Sequence, residues 1–160
     1  MAEIYGRTRR ESTYFFEDAV TTLKALRPFY KLGLITNGPT ELQGEEIDVL
    51  RVRDYLDYVI ISEEVGSDKP DEVIFLYAAK LAECVVGEIL YVGNSQFHDV
   101  LGAKRAGLKV AWINRRGETL KDGIPAPDFE VRTLGELLPY LIPTEVGAPL
   151  ERAINSQSSE

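Results

Sequence analysis

The feature that most constrains the fold is an alternation of short apolar runs with longer amphipathic segments. Each apolar run ends in small or polar residues, and each is followed by a segment whose apolar residues recur at roughly helical spacing. Strands that alternate with helices in this way form a parallel sheet with helices on both faces. The sequence therefore predicts an α/β fold with a doubly wound parallel sheet. The predicted strands end at Thr36, Ile61, Val92, Ile113 and Val131.

One of the predicted helices begins directly after Lys69. We place Pro70 at its first position, because proline lacks the N–H that a first helical residue leaves unpaired. The predicted buried stripe of this helix consists of Ile74, Phe75, Ala78 and Leu81. The other predicted helices cover residues 17–28, 39–52, 97–106 and 134–141.

The chain length and its patterning predict one domain. A chain of 160 residues is long enough to bury a substantial core, and the helix and strand pattern occupies residues 17–143. Residues 144–160 are polar and small without periodicity, which predicts a flexible C-terminal tail.

The composition excludes several classes of partner. A net charge of -8 and a pI near 4.8 argue against binding to nucleic acid, which requires clustered lysines and arginines. No run of about 18 apolar residues is present, so we expect no membrane partner. Cys84 is the single cysteine and cannot form an internal disulfide, which fits a reducing compartment. We therefore expect a cytoplasmic protein.

Polar residues follow the predicted strands at the edge where parallel sheets bind ligands. Thr36, Asn37 and Gly38 follow the first strand, Lys69 follows the second, and Asn94 and Asp99 follow the third. A hydroxyl, backbone amides and an ammonium suit a phosphoryl group, while carboxylate and amide oxygens suit a divalent cation.

Each of these residues also has an ordinary structural interpretation. Thr36 is typical of a turn or helix cap, and Lys69 of a solvated surface charge. Asp99 is also typical of the first turn of a helix, where a carboxylate interacts favourably with the positive end of the helix dipole. His98 is most simply a surface or capping residue.

The order and spacing of these segments are more specific than any residue alone. LITNG, SDKPDEVIF and VGNSQFHDVLGAKRAGLKVAWINR resemble the second, third and fourth motifs of the haloacid dehalogenase (HAD) superfamily. The resemblance runs from about Phe16 to Leu141. It implies a Rossmann-like core and the hydrolysis of a small phosphorylated metabolite, with Mg²⁺ as cofactor.

The resemblance also implies a role for each residue. Thr36 would hydrogen-bond the transferring phosphoryl group, with the backbone amides of Asn37 and Gly38, and Lys69 would neutralise charge beside it. Asp99 and Asn94 would hold the magnesium ion. The family usually has a carboxylate where Asn94 stands, so we expect weak magnesium binding.

The family's nucleophile is missing from this sequence. In the resembling proteins a DxD motif ends a central strand far before the TNG segment, whereas the residues preceding Thr36 contain one aspartate, Asp18, within a helical pattern. Covalent phosphoryl transfer requires an oxygen nucleophile, so we expect no turnover from this chain alone. We interpret residues 1–16 as the remnant of a cap and linker.

The missing strand has a structural consequence as well. It would lie between the strands that end at Thr36 and Val92, so its loss leaves two apolar edges or lets those strands pair directly. Open edges also favour a homodimer.

The sequence leaves three hypotheses about function. The first is a phosphatase scaffold that needs a DxD-bearing segment, and the second is a noncatalytic phosphate- or partner-binding relative. The third, a phosphoacceptor signalling domain, would need an acceptor aspartate on a strand before Thr36, which the sequence lacks.

Overall fold

The structure confirms the α/β prediction. The computed structural model describes residues 17–143 of the chain. The described part contains parallel strands at the places that the sequence pattern indicated. Their bounds are β1 Gly33–Thr36, β2 Tyr58–Ile61, β3 Leu90–Gly93, β4 Lys109–Ile113 and β5 Phe129–Val131.

The helices also follow the predicted order, with one addition. A short helix after β2 was not predicted, because its sequence is polar and resembles a turn. Two predicted helices are partly irregular: a π-helical segment, Gln96–Leu101, precedes one, and a 3₁₀ turn, Leu134–Leu137, precedes the other. The helix bounds are α1 Glu17–Leu26, α2 Thr40–Val49, α3 Ser62–Val65, α4 Glu72–Ala82, α5 Gly102–Arg105 and α6 Leu138–Leu141.

Within residues 17–143 the strands form two separate parallel sheets. One sheet has the order β1-β2 and the other has the order β3-β4-β5. Strands β1 and β3, which would flank the missing nucleophile strand, are not hydrogen-bonded to each other. Of the two outcomes expected for that loss, direct pairing of these strands is therefore wrong for the part of the chain described here.

The middle strand of the larger sheet is buried on both faces. Val110 and Trp112 of β4 belong to one apolar cluster, while Ala111 and Ile113 belong to another on the opposite face. Alternate residues of a strand point to opposite faces, so helices pack against both sides of this sheet. This is the doubly wound arrangement.

Helix α4 packs against both sheets. Its Ile74, Phe75 and Ala78 lie in the same cluster as Ile60 of β2 and Val110 of β4. Burial of these side chains, each worth about 1.5–3 kcal/mol when large and apolar, holds the two sheets against one helix although their strands do not pair.

Two details of α4 differ from the sequence prediction. The helix begins at Glu72 rather than Pro70, because the Asp71 side chain accepts a hydrogen bond of 3.0 Å from the Val73 amide and caps the helix. Leu81 is also exposed, whereas Ala82 is buried. The predicted buried stripe is therefore wrong at Leu81.

The predictions for the two ends of the chain lie outside the described residues. These are the cap and linker remnant at residues 1–16 and the flexible tail at residues 144–160. Among residues 17–143, no helix combines the length and apolar character needed to cross a bilayer.

We predict that Gly102→Ala destabilises the protein. A Cβ at Gly102 would lie 2.9 Å from the Pro70 Cα and carbonyl oxygen and 2.6 Å from the Phe75 ring. Overpacking of this kind costs about 1–3 kcal/mol. Urea unfolding followed by circular dichroism measures the change.

The matched control for this prediction is Gly44→Ala. Gly44 lies inside α2, and a Cβ there would meet no atom within 4 Å. Because glycine is unfavourable inside a helix, this substitution should stabilise the protein by about 0.5–1 kcal/mol. Equal effects of the two substitutions would contradict the packing at Gly102.

Candidate functional site

Lys69 connects the segments that follow β1 and β3. Its backbone N–H donates to the Asn37 side-chain oxygen at 2.9 Å, and its carbonyl accepts from the Asn37 side-chain nitrogen at 2.9 Å. Its Nζ donates to Asp99 Oδ1 at 2.8 Å. The structure thus brings together residues that lie at the ends of two different sheets.

The Lys69 ammonium lies in a buried cluster with Asp99 and Tyr91. Nζ donates to the Tyr91 hydroxyl at 2.9 Å, and that hydroxyl donates to Asp99 Oδ1 at 3.0 Å. The Lys69 and Asp99 side chains are only 13% and 6% exposed. Since a buried charge is costly unless paired, each ion requires the other here.

The position of Asp99 depends on its own turn. Its Oδ2 accepts a hydrogen bond of 2.9 Å from the Ser95 N–H. A Cβ at Gly93 would lie 2.5 Å from the Asp99 Cβ and Cγ, so only glycine leaves room for the carboxylate. The glycine that ends β3 thus permits the close approach of Asp99.

The predicted phosphate-binding residues after β1 already have internal partners. The Thr36 hydroxyl donates to the Gln43 side-chain oxygen at 2.5 Å, and the Gly38 N–H donates to Ser62 Oγ at 2.9 Å. A phosphoryl group at this position would have to replace Gln43 and Ser62 as acceptors. Gln43 was not identified from the sequence, because nothing in its spacing distinguishes it from other helix residues.

The described residues do not by themselves form a magnesium site. Both Asp99 oxygens already accept protein donors. Asn94 is exposed, and its backbone carbonyl accepts from Trp112 Nε1 at 3.0 Å. Among residues 17–143 there is no group of three or more histidine, cysteine or acidic side chains that could hold a metal ion. The Lys69 ammonium instead neutralises the Asp99 charge.

The His98 ring contacts the backbone of Lys69. Its Nδ1 lies 2.9 Å from the Lys69 carbonyl oxygen. Because a carbonyl only accepts, this contact assigns the proton to Nδ1. The exposed His98 ring therefore supports the Lys69 backbone.

Tyr91 is the residue of this cluster that the sequence analysis missed. Burial, followed by the neighbouring Asp99 charge, raises the pKa of its hydroxyl well above the ordinary value. The phenol therefore stays neutral and keeps its proton for the hydrogen bond to Asp99. Its ring packs edge-on against Phe75 at 5.0 Å between centroids. A tyrosine in an apolar strand gives no signal of this contact until the sheet is assembled.

Asp18 is used structurally. Burial opposes its ionisation, but the hydrogen bond from the Leu134 N–H and the Arg115 charge lower the pKa of Asp18. Its Oδ1 lies 3.3 Å from Arg115. The residue lies in α1, as the sequence predicted, and joins that helix to the segments around β4 and β5.

Comparison with known proteins identifies the family. The sequence model of the haloacid dehalogenase-like hydrolases matches residues 1–113. The chain belongs to this family. The HAD resemblance seen in the sequence motifs is thereby confirmed.

The HAD chain is similar to several characterised phosphatases. It is 41% identical over 120 residues to the pyrimidine 5'-nucleotidase YjjG of Escherichia coli, covering 74% of this chain and 53% of that protein. It is 32% identical over 135 residues to human N-acylneuraminate-9-phosphatase, covering 84% and 54% respectively. The chain therefore spans about half the length of the curated relatives it matches.

Solved structures share the fold. A HAD phosphatase from Thermococcus onnurineus superimposes with a TM-score of 0.71 at 38% identity, covering 78% of this chain and 56% of that one. A 2-haloacid dehalogenase from Pseudomonas syringae gives 0.75 at 29% identity, covering 87% and 57%. The HAD scaffold is thus common to proteins with phosphatase and dehalogenase names, so the reaction must be argued from the site.

We predict that Tyr91→Phe destabilises the HAD chain. The substitution keeps the ring and its packing against Phe75 but leaves Lys69 and Asp99 without their shared hydroxyl. Loss of a buried hydrogen bond to charged groups costs about 1–3 kcal/mol, measured by urea unfolding. Tyr77→Phe is the control, because Tyr77 is 42% exposed and its change should stay within about 0.5 kcal/mol. An unchanged free energy of unfolding in Tyr91→Phe would contradict the hydrogen bonds of the Tyr91 hydroxyl with Lys69 and Asp99.

Proposed function

We propose that this chain is the phosphate-binding portion of a hydrolase of small phosphate monoesters. The observation that carries the proposal is the convergence of Asn37, Lys69 and Asp99 through direct hydrogen bonds. The similar proteins whose names specify a phosphatase or nucleotidase act on small phosphorylated compounds. They support the same substrate class for this chain, although they do not single out one compound.

In this proposal Lys69 supplies the positive charge that meets the phosphoryl oxygens. Its ammonium has three N–H donors, of which one is directed to Asp99 and one to Tyr91. Among residues 17–143 the third N–H has no acceptor, so it can donate to an anion. Thr36 Oγ1 and the amides of Asn37 and Gly38 would complete the phosphate contacts once Gln43 and Ser62 are displaced as acceptors.

Magnesium enters the proposal as a weakly bound ion. Asn94 contributes no charge, and Asp99 is already paired with Lys69 at 2.8 Å. Magnesium would compete for a carboxylate whose oxygens already accept protein donors. We therefore expect phosphate binding that does not depend on magnesium.

We also propose that this chain alone is not a catalyst. The 160 residues contain no DxD sequence, and β1 and β3 are not paired with each other within residues 17–143. Phosphoryl transfer through an aspartyl phosphate needs an aspartate at that place, which the residues of the site do not replace. A segment that carries DxD would have to be supplied.

A noncatalytic relative that binds phosphate or a protein partner is the alternative. Two observations favour it, namely Asn94 in place of a carboxylate and the absence of DxD from this sequence. In either case we propose a cytoplasmic protein with no nucleic-acid partner, in line with the net charge of -8.

We predict that inorganic phosphate binds and that Lys69→Met weakens its binding about tenfold or more, because a charge-assisted hydrogen bond is lost. Isothermal titration calorimetry measures the dissociation constants. Thr36→Val, which removes a hydroxyl at nearly constant shape, should weaken binding by a smaller factor. Adding magnesium should leave the wild-type constant unchanged.

Lys104→Met is the matched control for Lys69→Met. Lys104 forms an ion pair of 2.9 Å with Asp128 and takes no part in the site. Its loss should leave phosphate binding unchanged. Equal affinities of wild type and Lys69→Met, with both folded by circular dichroism, would refute the role of Lys69. A large gain in affinity with magnesium would refute weak magnesium binding.

We predict no turnover of a generic phosphate ester by this chain in the presence of magnesium. The reason is the missing nucleophile, and a colorimetric phosphate-release assay measures it. Asp99→Ala is the control that separates real activity from contamination. Turnover that Asp99→Ala abolishes would contradict both the noncatalytic alternative and the absence of a nucleophile.

A further inference from the structure

A cavity of about 610 Å³ lies beyond the carboxyl ends of β3 and β4. One of its walls is the turn after β3, residues 94–97, and the other comes from the connection between β4 and β5. Ligand cavities in proteins commonly have volumes of about 300–1,000 Å³, and parallel sheets bind ligands at this edge. The cavity therefore has the size and the place of a small-molecule site.

The connection that forms the second wall is long and irregular. Residues 114–128 join β4 to β5 and contain neither helix nor strand. Irregular connections longer than about 12 residues are uncommon in compact domains, and most are either binding loops or disordered segments. The hydrogen bonds of this connection distinguish between the two.

Two buried amide side chains hold this wall in place. Gln96, which is 7% exposed, donates from Nε2 to the Thr119 carbonyl at 3.1 Å and accepts from the Lys121 N–H at 2.8 Å. Asn114, which is 4% exposed, donates from Nδ2 to the Glu118 carbonyl at 2.9 Å and accepts from the Glu118 N–H at 2.8 Å. The connection is therefore a fixed wall, as a binding loop requires, and a ligand need not order it.

The cavity adjoins the proposed phosphate site. Ser95 of its first wall donates its N–H to Asp99 Oδ2 at 2.9 Å, and Asp99 Oδ1 accepts from Lys69 Nζ at 2.8 Å. A phosphate monoester that places its phosphate at Lys69 can therefore place its alcohol portion in the cavity.

The lining side chains indicate a flat ring with a polar edge. The Phe97 ring lines the cavity, is 55% exposed, and makes an edge contact with the His98 ring at 5.3 Å between centroids. Exposed aromatic rings at binding sites stack with nucleobases. The same cavity is lined by the Asn94 amide, the Lys121 ammonium and the Asp122 carboxylate, which offer both donors and acceptors. A sugar would leave the Phe97 ring without a stacking partner, whereas a nucleobase uses the ring and the polar groups.

We propose that the cavity takes the nucleobase of a nucleoside monophosphate, with the Phe97 ring as its stacking platform. The proposal rests on the proposed function, because Lys69 holds the phosphate of the same molecule. It narrows the substrate class from small phosphate monoesters to nucleotides.

Isothermal titration calorimetry of the full chain with inorganic phosphate, ribose 5-phosphate, AMP and UMP tests the proposal. At least one of the two nucleotides should bind about fivefold or more tightly than ribose 5-phosphate, because base stacking adds to the phosphate contacts. Equal affinities of ribose 5-phosphate and both nucleotides would overturn the nucleobase cavity. Binding of inorganic phosphate in that same experiment would leave the proposed function intact.

Substitutions at Phe97 test the stacking platform. Phe97→Ala should remove the preference for the nucleotide and leave the affinity for inorganic phosphate unchanged, whereas Phe97→Tyr keeps the ring and should retain the preference. Phe29→Ala is the matched control, since Phe29 is 50% exposed and lies just beyond α1, outside the cavity lining. A nucleotide preference that survives in Phe97→Ala would overturn the proposal.

Adenosine and uridine test the cavity without the phosphate. In nuclear magnetic resonance spectra, at least one of these nucleosides should shift the signals of Phe97 and Lys121. Such shifts in a protein that does not bind inorganic phosphate would refute the phosphate site and retain the nucleobase cavity. Spectra that neither nucleoside changes at these residues would overturn the cavity.

Discussion

The organisation of the site depends on the ion pair between Lys69 and Asp99. Neither charge would be stable alone at 13% and 6% exposure, because burying an unpaired ion costs several kcal/mol. Lys69 follows β2 of the two-stranded sheet, and Asp99 follows β3 of the three-stranded sheet. Asn37 fixes the Lys69 backbone through both the oxygen and the nitrogen of its side-chain amide. The pair therefore joins, beyond the carboxyl ends of β2 and β3, two sheets whose strands do not pair with each other.

The division of the strands into two sheets explains why α4 is central to the fold. Apolar residues on its inner face lie in one cluster with side chains of both sheets. Hydrophobic burial is not directional, so it can hold two sheets together without a shared ladder of hydrogen bonds. The polar contacts at Lys69 then fix the relative position of the two sheets, which apolar packing alone does not determine.

Much of the fold was predictable because strand and helix patterns are local. The bounds of β2, β4 and β5 agree with the sequence pattern, since each is a compact apolar run with clear turn residues on either side. The predicted start of α4 at Pro70 was wrong, because Asp71 caps the helix and its first residue is Glu72. Leu81 was placed inside because periodicity identifies apolar residues but does not tell which of two apolar faces meets the core.

The sequence by itself determined the α/β alternation, the site candidates Thr36, Lys69, Asn94 and Asp99, and the absence of a DxD nucleophile from these residues. Family membership then followed from the order of the motifs. Only the tertiary structure decided that Tyr91 completes the Lys69–Asp99 cluster, that Gln43 and Ser62 accept from the predicted phosphate donors, and that the strands divide into two sheets. The physical reason is distance along the chain: contacts such as Asn37 with Lys69 join residues that sequence spacing cannot bring together, and burial then makes their pairing obligatory.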